Sequence, residues 1–397
     1  MRREIEPQDQ STIKYNNTRM VLDIIRGNRE VSRSEIARIT GMSPTSATRI
    51  VGDLEAHGLV YDVATVSNGV GRKAVVLGIN RSVFYCVGLD ISETDLKLCL
   101  LDFNGGVVAK TAEHAPEGPL EAPYAVESFY EMYLRMLKEA GIAAEQVGAL
   151  GVGAVGTVDA ENGVVIYGDL LRWSQVPIGK LLSERFGMPV YVDNDVKCAI
   201  RGEASAPAMK NVDDLVLLSF GHGVGGAILN RGRLIRGVTN SAGEIGHTIV
   251  DHSGGRLCSC GRRGCAAAYL TEQNIIEQAR LLNPGAAGLR EIMQAYRTGE
   301  AWAQVLIERI SSYIAVVISN VVCMLNPRNI ILGGKLMNNY PFLFDLGVDK
   351  YRSMLYAPLQ ASAVFNRSFL GADATCVGGA LIALEKQTDS LLKEMSC

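Results

Sequence analysis

Ser241-Ala242-Gly243-Glu244-Ile245-Gly246-His247, with Cys258-Ser259-Cys260-Gly261-Arg262-Arg263-Gly264-Cys265 shortly after it, concentrates three of the chain's nine cysteines. Cys-x-Cys-x4-Cys plus one nearby imidazole makes a three-thiolate, one-histidine set, which suits tetrahedral zinc and leaves no open position for catalysis. Such a zinc is structural. The imidazole comes from His247 or from His252, which is closer in sequence. Three free thiols are the plain alternative, but so tight a group with glycines between is unusual for core cysteines. The remaining cysteines are scattered, and the start, MRREIEPQDQ, lacks the apolar stretch of a signal peptide, so a disulfide framework is not expected.

The rest of the chain sets the scale. Its 397 residues suggest two or three domains, and 48% hydrophobic and 20% charged residues with 42 glycines and 12 prolines describe a globular chain with many turns. Fibres and linker proteins are excluded. No window approaches the roughly 18–20 uninterrupted apolar residues of a membrane span, so a cytoplasmic protein with no membrane partner is expected. A net charge of −3 argues against a protein coated in basic charge. Residues 1–80 carry 11 Lys/Arg against 9 Asp/Glu, leaving 28 against 33 for the remainder, so DNA binding has to be argued from shape.

That shape is present at the front. Over 18–26 the apolar Met20, Val21, Ile24 and Ile25 follow helical spacing until Gly27, predicting one short helix. A serine cap then opens a helix of about two turns that ends at Gly41, and Ser43-Pro44 opens another that runs through Ile50, Val51 and Leu54 to Gly58. Two helices joined by a glycine-containing turn match a helix-turn-helix, with Ser43, Thr45, Ser46, Thr48 and Arg49 placed to reach base edges and phosphates. Leu59-Val60-Tyr61 and Ala74-Val75-Val76-Leu77 pair as a wing whose tip carries Arg72 and Lys73 for phosphate or minor-groove contact. A three-helix protein-interaction module is the plain alternative.

The body reads as α/β in two halves. Apolar runs at 83–89 and 96–103, a turn at Asn104-Gly105-Gly106 and Val107-Val108-Ala109 predict an antiparallel sheet, and a related layout returns at 215–235. Between them stand a helix at 125–140, a strand at 147–152, a helix at 178–186 and a strand at 190–192. Gly151-x-Gly153-x-x-Gly156 and Gly221-x-Gly223-x-Gly225-Gly226 look like dinucleotide fingerprints but lack the helix that should follow. Their glycines are expected to let backbone bend between strands and approach a ligand closely.

With the cysteine group, Ser241-Ala242-Gly243-Glu244-Ile245-Gly246-His247 resembles the signature of the ROK family (repressor, open reading frame, kinase), and a winged helix-turn-helix ahead of such a body resembles the family's sugar-responsive repressors across nearly the whole chain. The resemblance implies a two-lobed, actin-like ATPase (ribonuclease-H-like) body around a sugar cleft. It implies a DNA-binding domain at 1–80, a first lobe at 81–192 joined by 376–397, and a second lobe at 193–375 with the zinc site and dimer contacts. It selects His247, with Cys258, Cys260 and Cys265, as the metal set, and Asn194, Asp195, Glu244 and His247 as sugar contacts, with Asp195 the counterpart of the kinases' base. Solvated carboxylates are the plain alternative for Asn194-Asp195. Zinc would pin the loop bearing Glu244 and His247, coupling metal to ligand.

The chain departs from the kinase pattern. Asp90-Ile91-Ser92-Glu93-Thr94 stands where the kinases hold phosphate with Asp-x-Gly-Gly-Thr, so Glu93 puts negative charge where phosphates should lie. Gly221-His222-Gly223 replaces Gly-Thr-Gly, while Gly333-Gly334 keeps the expected form. Ala267 replaces a sugar-contacting glutamate, Val155 a proline and Lys197 an asparagine. A Lys197 facing the cleft would favour a phosphorylated or acidic sugar; facing solvent is the plainer expectation. A regulator rather than an enzyme is therefore expected: a repressor dimer, or dimer of dimers, that binds a roughly palindromic operator and responds to a carbohydrate or sugar phosphate. The stretch 302–325 is a candidate for the dimer contact or for the core. The alternatives are an ATP-dependent sugar kinase with a DNA-binding front, and a regulator whose body senses a protein.

Overall fold

The computed structural model describes residues 10–28, 30–66, 74–116, 118–354 and 363–396. At the front stand α1 (Gln10–Gly27), the short β1 (Val31–Ser32), α2 (Arg33–Thr40), α3 (Pro44–Ala56), β2 (Val60–Val66) and β3 (Ala74–Ile79), the strands pairing antiparallel in the order β1-β3-β2. Ser32 caps α2 reciprocally with Glu35, and Gly41 ends it at φ 71°. The Ser43 hydroxyl accepts from the Ser46 N–H to start α3. Ala47, Ile50, Val51 and Leu54 then turn inward onto Val21, Leu22, Ile25 and Ile36.

The first helix is longer than its apolar spacing predicts, beginning at Gln10 rather than near residue 18. Its extra turns are polar and take their partners from the far end of the chain, on α13 (Ala374–Glu394), the last of the helices. Tyr15 donates to Asp389 at 2.8 Å, Arg19 pairs with the same carboxylate, and Lys14 donates to the carbonyl of Met395. Arg26 lies over the Phe103 ring and donates to the Phe103 carbonyl. No local periodicity reports contacts of that sequence separation.

The body holds two five-stranded sheets. The first is built from β4 (Tyr85–Ile91), β5 (Asp95–Leu101), β6 (Val107–His114), β7 (Val147–Ala154) and β11 (Val190–Asn194), with α4 (Ala122–Ala140) and α5 (Ile178–Phe186) in the crossovers. A small sheet of β8 (Thr157–Asp159), β9 (Val164–Gly168) and β10 (Trp173–Val176) caps it. After α6 (Asp195–Ala204) comes the second sheet: β12 (Leu215–Phe220), β13 (Val224–Asn230), β14 (Arg233–Leu234), β15 (Asn329–Gly333) and β16 (Val364–Arg367). The orders β11-β7-β4-β5-β6 and β16-β15-β12-β13-β14 are the same arrangement, three antiparallel strands followed by two parallel ones. The duplicated α/β layout is thus found as expected.

Helices α7 (Ala267–Leu270), α8 (Glu272–Leu282), α9 (Leu289–Arg297), α10 (Ala301–Leu325), α11 (Lys335–Asn339) and α12 (Phe342–Met354) pack on the second sheet. The expectation that no segment approaches a membrane span is corrected by α10, which is long and apolar enough by length and composition, with a mean hydropathy of 1.6 over its best window. Its polar residues are few because it is a core helix: Leu306, Ile310, Ile314, Ile318 and Val321 are all buried.

Among the glycine-rich strand ends, Gly151 lies against the protein's own backbone, while a Cβ on Gly223 would meet nothing within 4 Å. A Cβ on Gly151 would stand 1.8 Å from the Gly379 carbonyl, and one on Gly88 the same distance from the Cys376 carbonyl, so α13 lies directly on the first sheet. On its other side α13 meets α6 as closely, since a Cβ on Gly378 would lie 1.7 Å from the Cys198 carbonyl.

Candidate functional site

The turn bearing His247 is seated on β13 by small residues. A Cβ on Gly226 would strike Ile245, and one on Gly246 would stand 2.1 Å from the Val224 carbonyl. The cysteine loop folds back on this turn: Val250 N–H donates to Gly264 O, Ala266 N–H to Thr248 O, and the Arg262 guanidinium to His247 O. His247, Cys258, Cys260 and Cys265 are thereby gathered with their ligand atoms within 4.8 Å of one another. His247 Nδ1 is 3.7 Å from Cys258 Sγ, and Cys260 Sγ is 3.6 Å from Cys265 Sγ. A tetrahedral Zn–S site with bonds near 2.3 Å has edges of about 3.8 Å, so the donor set fits zinc in number, chemistry and spacing. His252, the nearer imidazole in sequence, is exposed and outside this group. The Arg262 N–H and guanidinium hold the Cys260 thiol down at about 6, whereas burial and the neighbouring sulfurs push Cys265 up to about 12. Three thiolates repel one another until a cation joins them.

At the end of β11, Asn194 caps α6. Its Oδ1 accepts from the N–H groups of Val196 and Lys197, and its Nδ2 donates to Gly156 O and to Asp195 Oδ1 at 2.8 Å. Burial pushes the Asp195 carboxyl up to about 6, and the carboxylates of Glu93 and Glu244 add to the rise. The carboxylates of Glu93 and Glu244 thus lie close enough to Asp195 to act on it, Glu244 exposed. Lys197 faces neither solvent nor an open cleft. It is 2% exposed, with Nζ on the carbonyl of Asn240, and the solvent-facing expectation is corrected.

The surroundings of Glu93 are crowded. Glu93, in the turn after β4, meets His222 Nδ1 at 2.9 Å from the turn after β12. The other ring nitrogen lies 3.2 Å from Lys335 Nζ and 3.8 Å from Glu272. The Glu93 carboxylate raises the His222 pKa, and His222 in return holds Glu93 below the usual carboxylate range against its burial. Beneath them Asp90 is pushed up to about 7 by burial, with Lys97 at 3.8 Å opposing the rise.

On the front domain, Thr45, Thr48 and Arg49 are exposed along α3, and Ser46 is half-buried with its hydroxyl 2.9 Å from that of Ser43. Arg72 and Lys73, the expected wing tip, lie outside the described residues. The reading of the sequence missed Arg33, which braces α2 against Glu55 and Asp62, and missed the partners of Lys197. The meeting of Glu93 with His222 joins two turns far apart in sequence and leaves no local signal.

The ROK family model matches residues 86–386, and a MarR family model matches residues 17–72. The chain is 25% identical to the xylose repressor of Caldicellulosiruptor bescii over 86% of its length and 88% of that protein. It is 28% identical to the DNA-binding transcriptional repressor Mlc of Escherichia coli, covering 98% of each chain. In structure it resembles a ROK family transcriptional regulator described as a homolog of E. coli Mlc, with a TM-score of 0.81, 23% identity, and 97% and 99% of the two chains covered. A MarR-type helix-turn-helix ahead of a duplicated α/β body that carries the histidine–cysteine group places the chain in the ROK family.

Proposed function

We propose that the chain is a sugar-responsive DNA-binding transcriptional regulator, a repressor, whose kinase-type body senses its effector without chemistry. One observation carries this reading: the cleft keeps polar groups at the Asn194–Asp195 end, while Glu93 and His222 meet at the other. Asn194, Asp195, Glu244 and His247 are the sugar contacts, and unpaired buried polar groups make such a set discriminate between epimers. His247, Cys258, Cys260 and Cys265 hold structural zinc, which when bound supplies a cross-link that fixes the His247 turn. Ser43, Thr45, Ser46, Thr48, Arg49, Arg72 and Lys73 form the operator contact, and a two-fold dimer in the cytoplasm presents two such surfaces to a palindrome.

A path from cleft to DNA is supported by the packing. The effector end of the cleft begins α6, α6 lies on α13 at glycine distance, and the end of α13 grips α1 through Asp389. An effector that prefers one placement of α6 therefore biases the placement of α1, and with it the operator affinity.

The kinase alternative draws on Asp195, whose raised pKa suits a general base. A coupled assay with ATP and a panel of sugars is expected to show no turnover. The same panel, followed by thermal stability of the zinc-loaded protein with and without ATP, is expected to give a shift with one sugar alone. Silence across the panel would reject the sugar reading and favour control by a protein partner.

A further inference from the structure

Lys197 stands where the family resemblance leads to an asparagine, and its surroundings form a connected polar junction. From the first turn of α6 its Nζ donates to Asn240 O at 2.8 Å. Asn240 has a φ of 57°, a left-handed conformation that asparagine tolerates better than other residues with a Cβ. Both polar ends of its side chain are engaged. Nδ2 donates to Val158 O at 3.0 Å and to Asp193 Oδ1 at 3.2 Å, and Oδ1 accepts from Arg236 Nη1 at 3.0 Å. Arg236 Nη2 closes the ring on Asp193 Oδ2 at 2.6 Å, and Asp193 is itself only 2% exposed.

The members come from both lobes. Asp193 is on β11 and Val158 on β8, in the first lobe, whereas Arg236 and Asn240 belong to the strap that runs from β14 to Glu244 in the second. The outer side of the strap is open: Val238 is fully exposed and Thr239 is exposed. Burial lowers the Lys197 pKa, and the carboxylates of Asp193, Glu244 and Asp195 oppose that fall. An ammonium buried this deeply costs several kcal/mol unless its partners compensate, so Lys197 is not an interchangeable packing residue.

We propose that Lys197 is a positioning residue of the effector cleft: with Asp193 and Arg236 it fastens the 236–241 strap of the second lobe to the first, and so sets where Glu244 and His247 stand. Its ammonium is spent on the strap and is not a receptor for an anionic sugar. This rests on the effector-cleft reading of the preceding subsection, and the test separates the two.

Hydrogen exchange read by mass spectrometry on the full-length, zinc-loaded protein compares wild type with Lys197→Met, Lys197→Arg and Asn240→Gly. Lys197→Met keeps the aliphatic stem and removes the donor. Asn240→Gly keeps the left-handed backbone and removes the side-chain bonds, so the two variants fail to fold for different reasons if they fail at all. Exchange over 236–244 is expected to quicken about tenfold in both, with α13 unchanged and Lys197→Arg between. Wild-type exchange at the strap in Lys197→Met and Asn240→Gly overturns the proposal.

The same proteins are titrated with xylose, glucose and N-acetylglucosamine. A sugar that binds wild type is expected to bind Lys197→Met about tenfold more weakly. Equal affinity overturns the positioning role. A strap that loosens as expected in a wild-type protein that binds none of the probes supports the clasp and overturns the effector reading.

Discussion

The Asn194–Asp195 and Glu93–His222 ends of the proposed cleft are spent differently. At one end Asn194 and Asp195 leave β11 to begin α6, and Glu244 stands exposed at the rim across from them. At the other, the turns after β4 and β12 bring Glu93 and His222 into contact, with Lys335 and Glu272 beside them. Polar groups that face a cleft recognise a ligand only while they are not already paired with each other. At the first end Glu244 retains that capacity while Asn194 and Asp195 share one bond at 2.8 Å, and the second end has turned it into a bridge between lobes.

The largest effect is expected where the recognising end rests on its loop. Cys265→Ser replaces a fully buried sulfur, and should abolish stoichiometric zinc and lower the melting temperature by about 10 °C or more, read by metal analysis and calorimetry. Full zinc content in the variant would remove Cys265 from the metal set.

Asp195→Asn should stabilise the free protein by about 1–2 kcal/mol near pH 8 while abolishing its response to sugar. The sign follows from the raised pKa: the folded protein favours the protonated carboxyl, so stability is lost as pH rises from the ordinary 3.8 and the full cost is reached above about 6. The gain should vanish near pH 4, where wild-type Asp195 is itself neutral, and a gain no larger at pH 8 than at pH 4 would contradict the raised pKa that burial gives this carboxyl.

Glu93→Gln should cost about 1 kcal/mol, with a pH dependence that marks the bridge. The raised His222 pKa gives stability that is complete below its ordinary value of 6.5 and is lost as pH rises through the raised one. The lowered Glu93 pKa gives stability that is complete above its ordinary value of 4.5 and is lost as pH falls through the lowered one. The difference between wild type and variant should therefore be greatest between pH 4.5 and 6.5, and a difference flat from pH 5 to 9 would break the contrast between the two ends. The smallest stability effect, under about 1 kcal/mol, is expected for Asp389→Ala at the contact with α1, together with a weakened coupling of sugar to operator. Sugar response at wild-type strength would place the coupling elsewhere.

Much of this architecture is legible from the residues. Caps, turn glycines and apolar periods mark α2, α3, α5, the first sheet and the antiparallel strands of the second, because those features act over a few residues. The cysteine group is legible for the same reason, three of its donors lying within one short loop. What escapes is long-range. The polar turns of α1 have partners on α13, Gly151 is small to admit the backbone of Gly379, and Lys197 is buried by a strap more than forty residues away. The apolar length of α10 is equally mute about its surroundings, since a core helix and a membrane span satisfy the same count.

The central claim, recognition without phosphoryl transfer, is tested most directly by fluorescence anisotropy of the zinc-loaded protein on its operator during titration with individual sugars, with and without ATP. One sugar should shift operator affinity about tenfold or more, equally in both conditions. A shift that requires ATP, accompanied by a phosphorylated sugar in the mixture, would contradict the account.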